Sequence, residues 1–287
     1  MKKTIPGCVV EKCIRITSLF TVFENTYEED YYFVGESHNF WELVCVIDGT
    51  IGVTAGKDVF PLEKGQAVLH KPMEFHRIWA EKGTRPHIAI ISFAGDIIPD
   101  MKERRFTLQE AEVQKLCEMI RKRDRIFQVD QGYIISKLLP GQEVQAHLFL
   151  AEFENLLLLV LSRKDPVIQT YTSVSARNYR RIVKVLEACL EERLTLPEIA
   201  KLCHMSEATV KKTFSRYAGI GLMTYFNQLK VRRAAALLEE GYSVGQTAAM
   251  LGYGDQNYFS TVFKRVIGES PMKYIAGRNE TGNTEGI

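Results

Sequence analysis

The sequence predicts an α+β protein: an N-terminal β-barrel with two flanking helices, then a C-terminal all-α domain with two helix-turn-helix motifs. The length of 287 residues suits two domains of ordinary size. Short β-branched and aromatic runs occupy the first part of the chain, and one helical pattern occurs twice near its end. We expect domains at residues 1–164 and 177–278, a linker at 165–176 and a disordered tail at 279–287.

Residues 8–95 contain short apolar segments separated by turns. The Asp48-Gly49 pair is a strong hairpin signal. Strands this short and this regularly spaced indicate a small antiparallel barrel or sandwich, enclosing a pocket or a packed core. The predicted strands are 40–47, 50–55, 59–62, 66–70, 76–80 and 87–93.

Two helices are predicted after the barrel, at residues 107–125 and 142–164. The sequence Thr107-Leu-Gln-Glu110 has the pattern of a capping box at the start of the first. The second carries an apolar stripe that is wider than one contact requires. We therefore expect both helices to cover the barrel and the second to pair with another copy of the chain. A further helix, 177–192, is predicted to open the C-terminal domain.

A repeated pattern organises the C-terminal domain, at residues 195–225 and again at 243–274. Each copy combines a capping box, a short helix, a tight turn and a second capped helix with two apolar residues four positions apart. Two helices joined by a sharp turn form a helix-turn-helix, whose second helix fits the major groove of DNA. A long helix at 223–240 would hold the two second helices for successive grooves, about 34 Å apart.

The outward faces of the two second helices are polar and basic. Lys and Arg can neutralise phosphates or reach guanine, and Gln and Asn suit adenine. The candidate DNA-binding residues are Ser206, Ala208, Lys211, Lys212, Ser215, Arg216, Asp255, Gln256, Asn257, Ser260, Thr261 and Lys264. Charge agrees with this assignment, because residues 175–279 hold 16 Lys and Arg against 9 Asp and Glu, whereas residues 1–174 hold 21 against 24.

The C-terminal stretch resembles the DNA-binding domain of AraC/XylS-type transcription regulators. The segment 252–274, GYGDQNYFSTVFKRVIGESPMKY, is similar to the signature segment of that family. By this resemblance, the positions that face the bases are Ala208, Lys211, Lys212, Gln256, Asn257 and Thr261. His204 stands where the family usually has Gly, so it would be strained if the turn requires a positive φ.

The N-terminal part resembles a cupin barrel, the usual sensor domain of that family. The similar positions are Glu36, His38, Glu42, Gly49, Gly65, Pro72 and His76. A strand through residues 36–42 would place His38 and Glu42 on one face and Trp41 on the other. Cupin enzymes hold a metal with two His, a Glu and a later His, and here a Glu replaces the first His. We expect His38, Glu42 and His76 to bind a small organic effector, with no metal and no cofactor.

The cysteines and the N-terminus bear on the compartment. The six cysteines form no C-x-x-C pair, so we expect reduced, buried thiols rather than disulfides or a metal site. Pro6-Gly7 interrupts the apolar run that a signal peptide needs, and the longest apolar run, 156–161, is too short to cross a bilayer. A cytoplasmic protein without a membrane partner is expected.

Together these features predict a sequence-specific transcription regulator that responds to a small molecule in its barrel and is not an enzyme. The expected partners are double-stranded DNA, an organic effector, a second copy of the chain and, for an activator, RNA polymerase. One alternative is a metal-dependent cupin enzyme, which would carry bound metal when purified. The other is a constitutive DNA-binding protein with a purely structural barrel, which no small molecule would stabilise.

Overall fold

The computed structural model describes residues 8–81, 83–97, 104–163, 171 and 173–281. Most of the expected linker and the last six residues of the expected tail lie outside this part of the chain. The strands are β1 (Ile14–Thr26), β2 (Trp41–Asp48), β3 (Thr50–Ala55), β4 (Asp58–Glu63), β5 (Gln66–His70), β6 (His76–Ala80), β7 (His87–Ile97), β8 (Arg105–Thr107), β9 (Phe127–Asp130) and β10 (Ile134–Leu138). The helices are α1 (Glu110–Lys122), α2 (Glu143–Ser162), α3 (Val174–Ala188), α4 (Leu196–Leu202), α5 (Glu207–Ala218), α6 (Leu222–Glu239), α7 (Val244–Met250), α8 (Gln256–Ile267) and α9 (Pro271–Thr281).

Two antiparallel sheets form the N-terminal barrel. The larger has seven strands in the order β8-β5-β2-β7-β1-β10-β9, and the smaller has the order β4-β3-β6. Buried aliphatic side chains pack between part of the two sheets, among them Val44, Val46, Val53, Ile78 and Ile90. Removing this apolar surface from water holds the two sheets together. The predicted barrel is confirmed.

Strand prediction succeeded where turn signals bound a short apolar segment. The strands at 50–55, 66–70 and 76–80 are observed with the predicted bounds. β1, β8, β9 and β10 were not predicted. In β1 the pairing with β7 is shifted twice by bulges, between Ile16 and Ser18 and between Leu19 and Thr21, which breaks the period of two in the sequence.

The predicted strand through residues 36–42 is wrong at its start. β2 begins at Trp41, while Glu36 makes an isolated β-bridge to His76. Between them the chain bends, and the imidazole of His38 hydrogen-bonds to the backbone oxygen two residues ahead. Strand alternation therefore does not bring these polar side chains together. The loop does so by folding back along β6.

Alternation does hold inside β2. Val44 and Val46 face the smaller sheet, whereas Leu43 and Cys45 belong to the core on the outer side. Trp41 packs against the outer core, and its indole N–H donates to a backbone oxygen of β7 at 3.2 Å. The predicted role of Trp41 as a packing residue is confirmed.

The helices α1 and α2 cover the outer face of the larger sheet, as predicted. Leu116 and Ile120 from α1 share one buried core with Phe149 and Phe153 from α2 and with the outward side chains of the sheet. Each helix therefore presents an apolar face to the barrel.

The start of α1 differs from the prediction. Thr107 ends β8 and pairs with Gln66 of β5, so it is engaged in the sheet and does not cap a helix. Gln109 and Glu112 form the capping box instead. Pairing with β5 thus engages the residue that the local pattern assigned to the helix cap, and the helix begins later.

The helix α2 has two apolar sides. It is long and apolar enough to cross a membrane by length and composition alone, with a mean hydropathy of 1.5. One side is buried against the barrel. The other leaves Val144 and Leu148 exposed at 67% and 58%, followed by exposed Leu158 and Leu159 at helical spacing. This second stripe is exposed to solvent.

The C-terminal domain is all-helical, as predicted. α3 begins at Val174, earlier than the predicted start, because the Ser173 hydroxyl oxygen accepts a first-turn N–H at 3.1 Å. The long helix α6 contributes Phe226 to one buried core and Val231 to a second. α9 extends to Thr281, so the first residues of the expected tail are helical.

The six cysteines are free. Cys45 and Cys203 are buried as expected. Cys8 and Cys13 are exposed, because the segment before β1 lies on the surface. The expectation of burial is therefore wrong for these two, and Cys117 and Cys189 are only partly buried.

Candidate DNA-binding surface and effector pocket

The first helix-turn-helix comprises α4 and α5. Glu198 closes the predicted capping box by accepting the backbone N–H of Thr195 at 2.7 Å. Ser206 caps α5, and its hydroxyl oxygen accepts the N–H of Thr209 at 3.2 Å. Phe214 anchors the inner side of α5 in the first core. The predicted caps of this copy are confirmed.

The second helix-turn-helix comprises α7 and α8 and repeats the arrangement. Ser243 and Gln246 form its capping box. Asp255 caps α8 by accepting the N–H of Asn257 at 2.9 Å. Phe259 is fully buried and anchors α8 in the second core. Two copies of one unit therefore pack on either end of α6.

The turns of the two motifs share a left-handed backbone. φ is +68° at Gly252 and +54° at His204. A Cβ at position 252 would lie 2.4 Å from the backbone oxygen of Glu191. Both the positive φ and this close approach therefore require glycine. His204 is exposed, and only its backbone is strained. The condition under which strain was expected at His204 is met.

The candidate DNA-binding residues lie on the outer sides of α5 and α8. Ser260 is half-buried, and the rest are exposed: Ser206, Ala208, Lys211, Lys212, Ser215, Arg216, Asp255, Gln256, Asn257, Thr261 and Lys264. Arg265 and Tyr258 are also exposed on α8 and were not among the predicted residues. Arg265 follows Thr261 by four positions, so helical spacing could have found it.

Four polar side chains meet beside β2 and β6, namely Glu36, His38, Glu42 and His76, of which Glu42 and His76 are buried. Their ligating atoms all lie within 4.8 Å of one another. Oε1 of Glu42 is 3.3 Å from Nε2 of His76, and Oε2 of Glu42 is 3.7 Å from Nε2 of His38. Both Nε2 atoms are buried without a hydrogen-bond partner. Such a set has the donor chemistry to hold a polar ligand group or a divalent metal.

A second layer behind this cluster was missed. The ring of His70 stacks on His76 with centroids 4.4 Å apart, and its Nδ1 lies 3.3 Å from Glu74. Arg104 donates to both carboxylate oxygens of Glu74 at 2.7 Å. His70 pairs with Glu42 across β5 and β2. Strand pairing brings His70 to Glu42, and Arg104 reaches Glu74 from a distant segment, so the contacts of this layer depend largely on tertiary structure.

Burial and pairing set the charges in the cluster. Burial raises the pKa of Glu42, but the imidazoles of His38 and His76 outweigh it and hold this pKa far below its usual range. Burial likewise opposes protonation of His76, yet Glu42 raises its pKa overall. Burial and the neighbouring His76 lower the pKa of His70 to about 4. An ionised carboxylate therefore faces one readily protonated imidazole, backed by a neutral one.

A pocket of about 600 Å³ adjoins this cluster between the two sheets. Glu36, Glu42 and His76 contribute to its lining. Its aromatic lining residues are Phe23, Tyr27, Tyr31, Phe33 and Tyr133. His38 instead lines a second pocket of about 530 Å³ between the two domains. The structure thus brings the three predicted effector residues together but places them on two neighbouring cavities.

Strand β6 connects the first pocket to the first helix-turn-helix. His76 and Ile78 line the pocket. Arg77 points the other way, and its guanidinium donates to the backbone oxygen of Arg216 in α5 at 2.5 Å and to that of Phe33 at 2.7 Å. Opposite sides of one strand therefore contact the pocket and the second helix of the first helix-turn-helix.

The two domains also share a buried core. Phe75 from the barrel lies in the same apolar cluster as Tyr179 of α3. The Thr54 hydroxyl donates to the backbone oxygen of Tyr217 at 2.7 Å, and the Tyr179 hydroxyl donates to that of Gly56 at 3.1 Å. No interdomain contact was predicted from the sequence.

Comparison with known protein families agrees with both halves of this arrangement. The model of the AraC-like ligand binding domain matches residues 19–148, and that of a helix-turn-helix domain matches residues 199–277. The chain belongs to the AraC/XylS family of transcription regulators. Its N-terminal domain is thus of the AraC-like ligand-binding type, and its C-terminal domain is of the helix-turn-helix type.

Relatives of this AraC/XylS-type chain include two curated activators. The chain is 31% identical over 94 residues to the bifunctional transcriptional activator/DNA repair enzyme AdaA of Bacillus subtilis, across 32% of this chain and 44% of AdaA. It is 29% identical over 123 residues to the transcriptional activator RhaS of Salmonella schwarzengrund, across 42% of this chain and 44% of RhaS. The chain therefore spans less than half the length of these relatives.

The chain also aligns with solved structures. ToxT from Vibrio cholerae O395 aligns over 92% of this chain and 98% of its own, at 13% identity and a TM-score of 0.37. The C-terminal domain of AraT from Geobacillus stearothermophilus aligns over 37% of this chain and 88% of its own, at 26% identity and a TM-score of 0.35.

Proposed function

We propose that this AraC/XylS-type chain is a sequence-specific DNA-binding transcription regulator that responds to a small organic effector bound in its barrel. One observation carries the proposal: β6 lines the effector pocket with His76 and holds the end of α5 with Arg77. Because β6 contacts both the pocket and α5, a shift of this strand moves both. Occupancy of the first can therefore bias the position of the second.

DNA contact is assigned to the exposed sides of α5 and α8. Lys211, Lys212 and Arg216 carry charge in the first, and Lys264 does so in the second. The further positions proposed to face the bases are Ala208, Gln256, Asn257 and Thr261. The positions that border them are Ser206, Ser215, Asp255 and Ser260. The capped N-termini present main-chain N–H groups to phosphates.

Effector control requires two arrangements of the domains that the ligand distinguishes. In the arrangement described above, the Arg77 guanidinium and the shared core restrain α5 against the barrel. A ligand that binds His76 or Glu42 shifts β6 and thereby changes the hydrogen bond from Arg77 to α5. Ligand binding then changes the fraction of molecules in which both helix-turn-helix units can reach DNA.

The partners follow from the same surfaces. A second copy of the chain is proposed to pack on the exposed stripe of α2, because four aliphatic side chains at helical spacing favour burial there. RNA polymerase is the further partner of an activator, which is how the named relatives are described. A cytoplasmic location and the absence of enzymatic activity complete the proposal.

One observation favours a second candidate, a metal-dependent cupin enzyme. Glu36, His38, Glu42 and His76 have ligand atoms close enough for one ion. Metal content of the purified chain, measured by mass spectrometry, separates the two. A stoichiometric metal together with turnover of an organic substrate would favour the enzyme.

The proposed function is tested by binding of the purified chain to its own upstream DNA, over a salt series and with random competitor DNA. Specific binding with a steep dependence on salt is expected, because phosphate contacts release counterions. Candidate metabolites added to the same assay should change the affinity. Weak binding that is indifferent to sequence, with and without metabolites, would contradict the proposal.

A further inference from the structure

The lining of the barrel pocket is both acidic and aromatic. Three carboxylates, from Glu24, Glu36 and Glu42, contribute to it. No Lys or Arg occurs among the lining residues that the structure describes. We propose that the effector is a small organic cation carrying an ammonium group. This proposal rests on the proposed function, because it concerns the same pocket.

The carboxylates are only partly neutralised by their neighbours. Glu42 is paired with His76 at 3.3 Å, and Glu24 lies 3.7 Å from Nε2 of His87. Glu36 is half-exposed, and its nearest basic atom is Nε2 of His76 at 3.9 Å. Glu42 also lies 3.7 Å from Nε2 of His38, so the three acids have imidazoles beside them but no permanently charged Lys or Arg in the described lining. A cationic ligand supplies the missing charge.

The aromatic side chains supply the second part of a cation site. Tyr27 and Tyr31 stack with centroids 3.8 Å apart, and Phe23 contacts Tyr133 with centroids 5.5 Å apart. These rings are half-buried or exposed, so their surfaces are available to a ligand. The face of an aromatic ring attracts an ammonium ion within about 6 Å of its centre. Aromatic faces beside carboxylates therefore suit an alkylated ammonium group better than either feature alone.

Other ligand classes fit the same lining less well. An anion would meet three carboxylates without a Lys or Arg in the described lining. A neutral polyol could hydrogen-bond to the acids, but it would cover Glu36 and Glu24 without neutralising them, which is unfavourable for a buried charge. A bare metal ion could use the His and Glu atoms, yet it would leave most of the roughly 600 Å³ and all the aromatic rings unused.

Matched pairs of ligands test the role of charge directly. Choline and its neutral isostere 3,3-dimethylbutan-1-ol, and phenethylamine and 2-phenylethanol, are titrated into the full chain by calorimetry at pH 7.5, with tetramethylammonium as the smallest probe. At least one ammonium ion is expected to bind with saturation, and its neutral partner about tenfold or more weakly. No saturable binding of any ammonium probe up to 10 mM, or equal binding of a pair, would overturn the proposal.

Variants then place the binding in this pocket. Glu36→Gln and Tyr31→Leu should each weaken the ammonium ion about fivefold or more, since one removes charge and the other an aromatic face. Glu63→Gln, an exposed acid at the end of β4, is the matched control and should leave affinity unchanged. Equal affinity in all three variants would place the cation elsewhere and reject the site. Specific DNA binding by the same preparation is measured in parallel. If only the ammonium proposal is wrong, specific DNA binding is still observed.

Discussion

Arg77 in β6 donates a hydrogen bond to the backbone oxygen of Arg216 in α5, across 2.5 Å. Its Nε donates to the backbone oxygen of Phe33 at 2.7 Å. The guanidinium thereby ties the last turn of α5 to β6, whose preceding residue, His76, lines the barrel pocket. Because the acceptors are main-chain oxygens, no side-chain pattern in α5 predicts this contact.

Loss of this interdomain contact should destabilise the chain. Arg77→Ala is expected to lower the free energy of unfolding by about 1–3 kcal/mol, because backbone oxygens lose a charged donor where water has limited access. Urea denaturation measures the change. Arg85→Ala, which removes an exposed ion pair with Glu28, is the control and should change stability by less than about 1 kcal/mol. Equal effects of the two variants would contradict a stabilising role for Arg77.

Recognition by the first helix-turn-helix is tested at Lys212. Lys212→Ala should weaken specific DNA binding by about 1–3 kcal/mol if the side chain contacts a base. Fluorescence anisotropy on operator and random DNA measures both affinities. Lys137→Ala, an exposed lysine of β10, is the control for a general charge effect. An equal loss on operator and random DNA would show that Lys212 contacts a phosphate instead.

The equivalent turns of the two motifs predict opposite effects of substitution. Gly252→Ala should destabilise the chain by roughly 2 kcal/mol or more, since φ is +68° and the new Cβ would clash with a backbone oxygen at 2.4 Å. His204→Gly should stabilise it by about 0.5 kcal/mol by relieving the strain at φ +54°. Thermal unfolding measures both. A destabilised His204→Gly variant would show that the imidazole makes a stabilising contact that outweighs its strain.

The buried imidazole of His70 predicts how stability depends on pH. Its pKa falls from an ordinary 6.5 to about 4, so between these values the unfolded chain binds a proton that the folded chain does not. Stability should therefore fall as pH decreases from 6.5 towards 4.5, by up to about 3 kcal/mol from this group. The paired carboxylates act in a separate window, since their lowered pKa values affect stability only below about 4.5.

The His70 contribution is isolated by substitution. Unfolding free energies of wild type and His70→Gln are compared from pH 4.5 to 7, and the variant should show a flatter slope in this range. His147→Gln, at an exposed position on α2, should retain the wild-type slope. An unchanged slope in His70→Gln would assign the dependence to other groups.

Pairing of two copies is tested on the outer stripe of α2. Leu148→Glu places a charge among apolar side chains that a partner would bury, so the dimer should weaken at least about tenfold. Sedimentation velocity over a concentration series measures the change. Leu202→Glu, at a leucine of α4 with 46% exposure, is the matched control and should leave the dimer intact. A monomeric wild type at high concentration would contradict the assignment.

Local chemistry made much of the fold predictable. Ser206, Asp255 and Ser243 cap the helices predicted for them, because a cap depends on neighbours three or four residues away. Prediction failed where pairing over long distances decides. Thr107 was assigned to a helix cap, yet it pairs with Gln66 in the sheet.

The candidate site shows the same division. Glu42 and His76 were found from a spaced motif and do line the pocket. His70, Glu74 and Arg104 were missed, because strand pairing and a distant segment bring them to the cluster. The assumed strand through His38 was wrong, although the contact it was meant to explain exists through a bend.

The sequence by itself determined the two kinds of domain, the duplicated helix-turn-helix, its caps and the polar faces of α5 and α8. Each of these depends on propensities and spacings within one turn or one strand. Only the tertiary structure decided that Phe75 and Tyr179 share a core, and that Arg77 reaches the end of α5. Such contacts join residues over a hundred positions apart through packing and main-chain hydrogen bonds. Local patterns carry no information about them, because their energy depends on complementary surfaces that form only when both domains are folded.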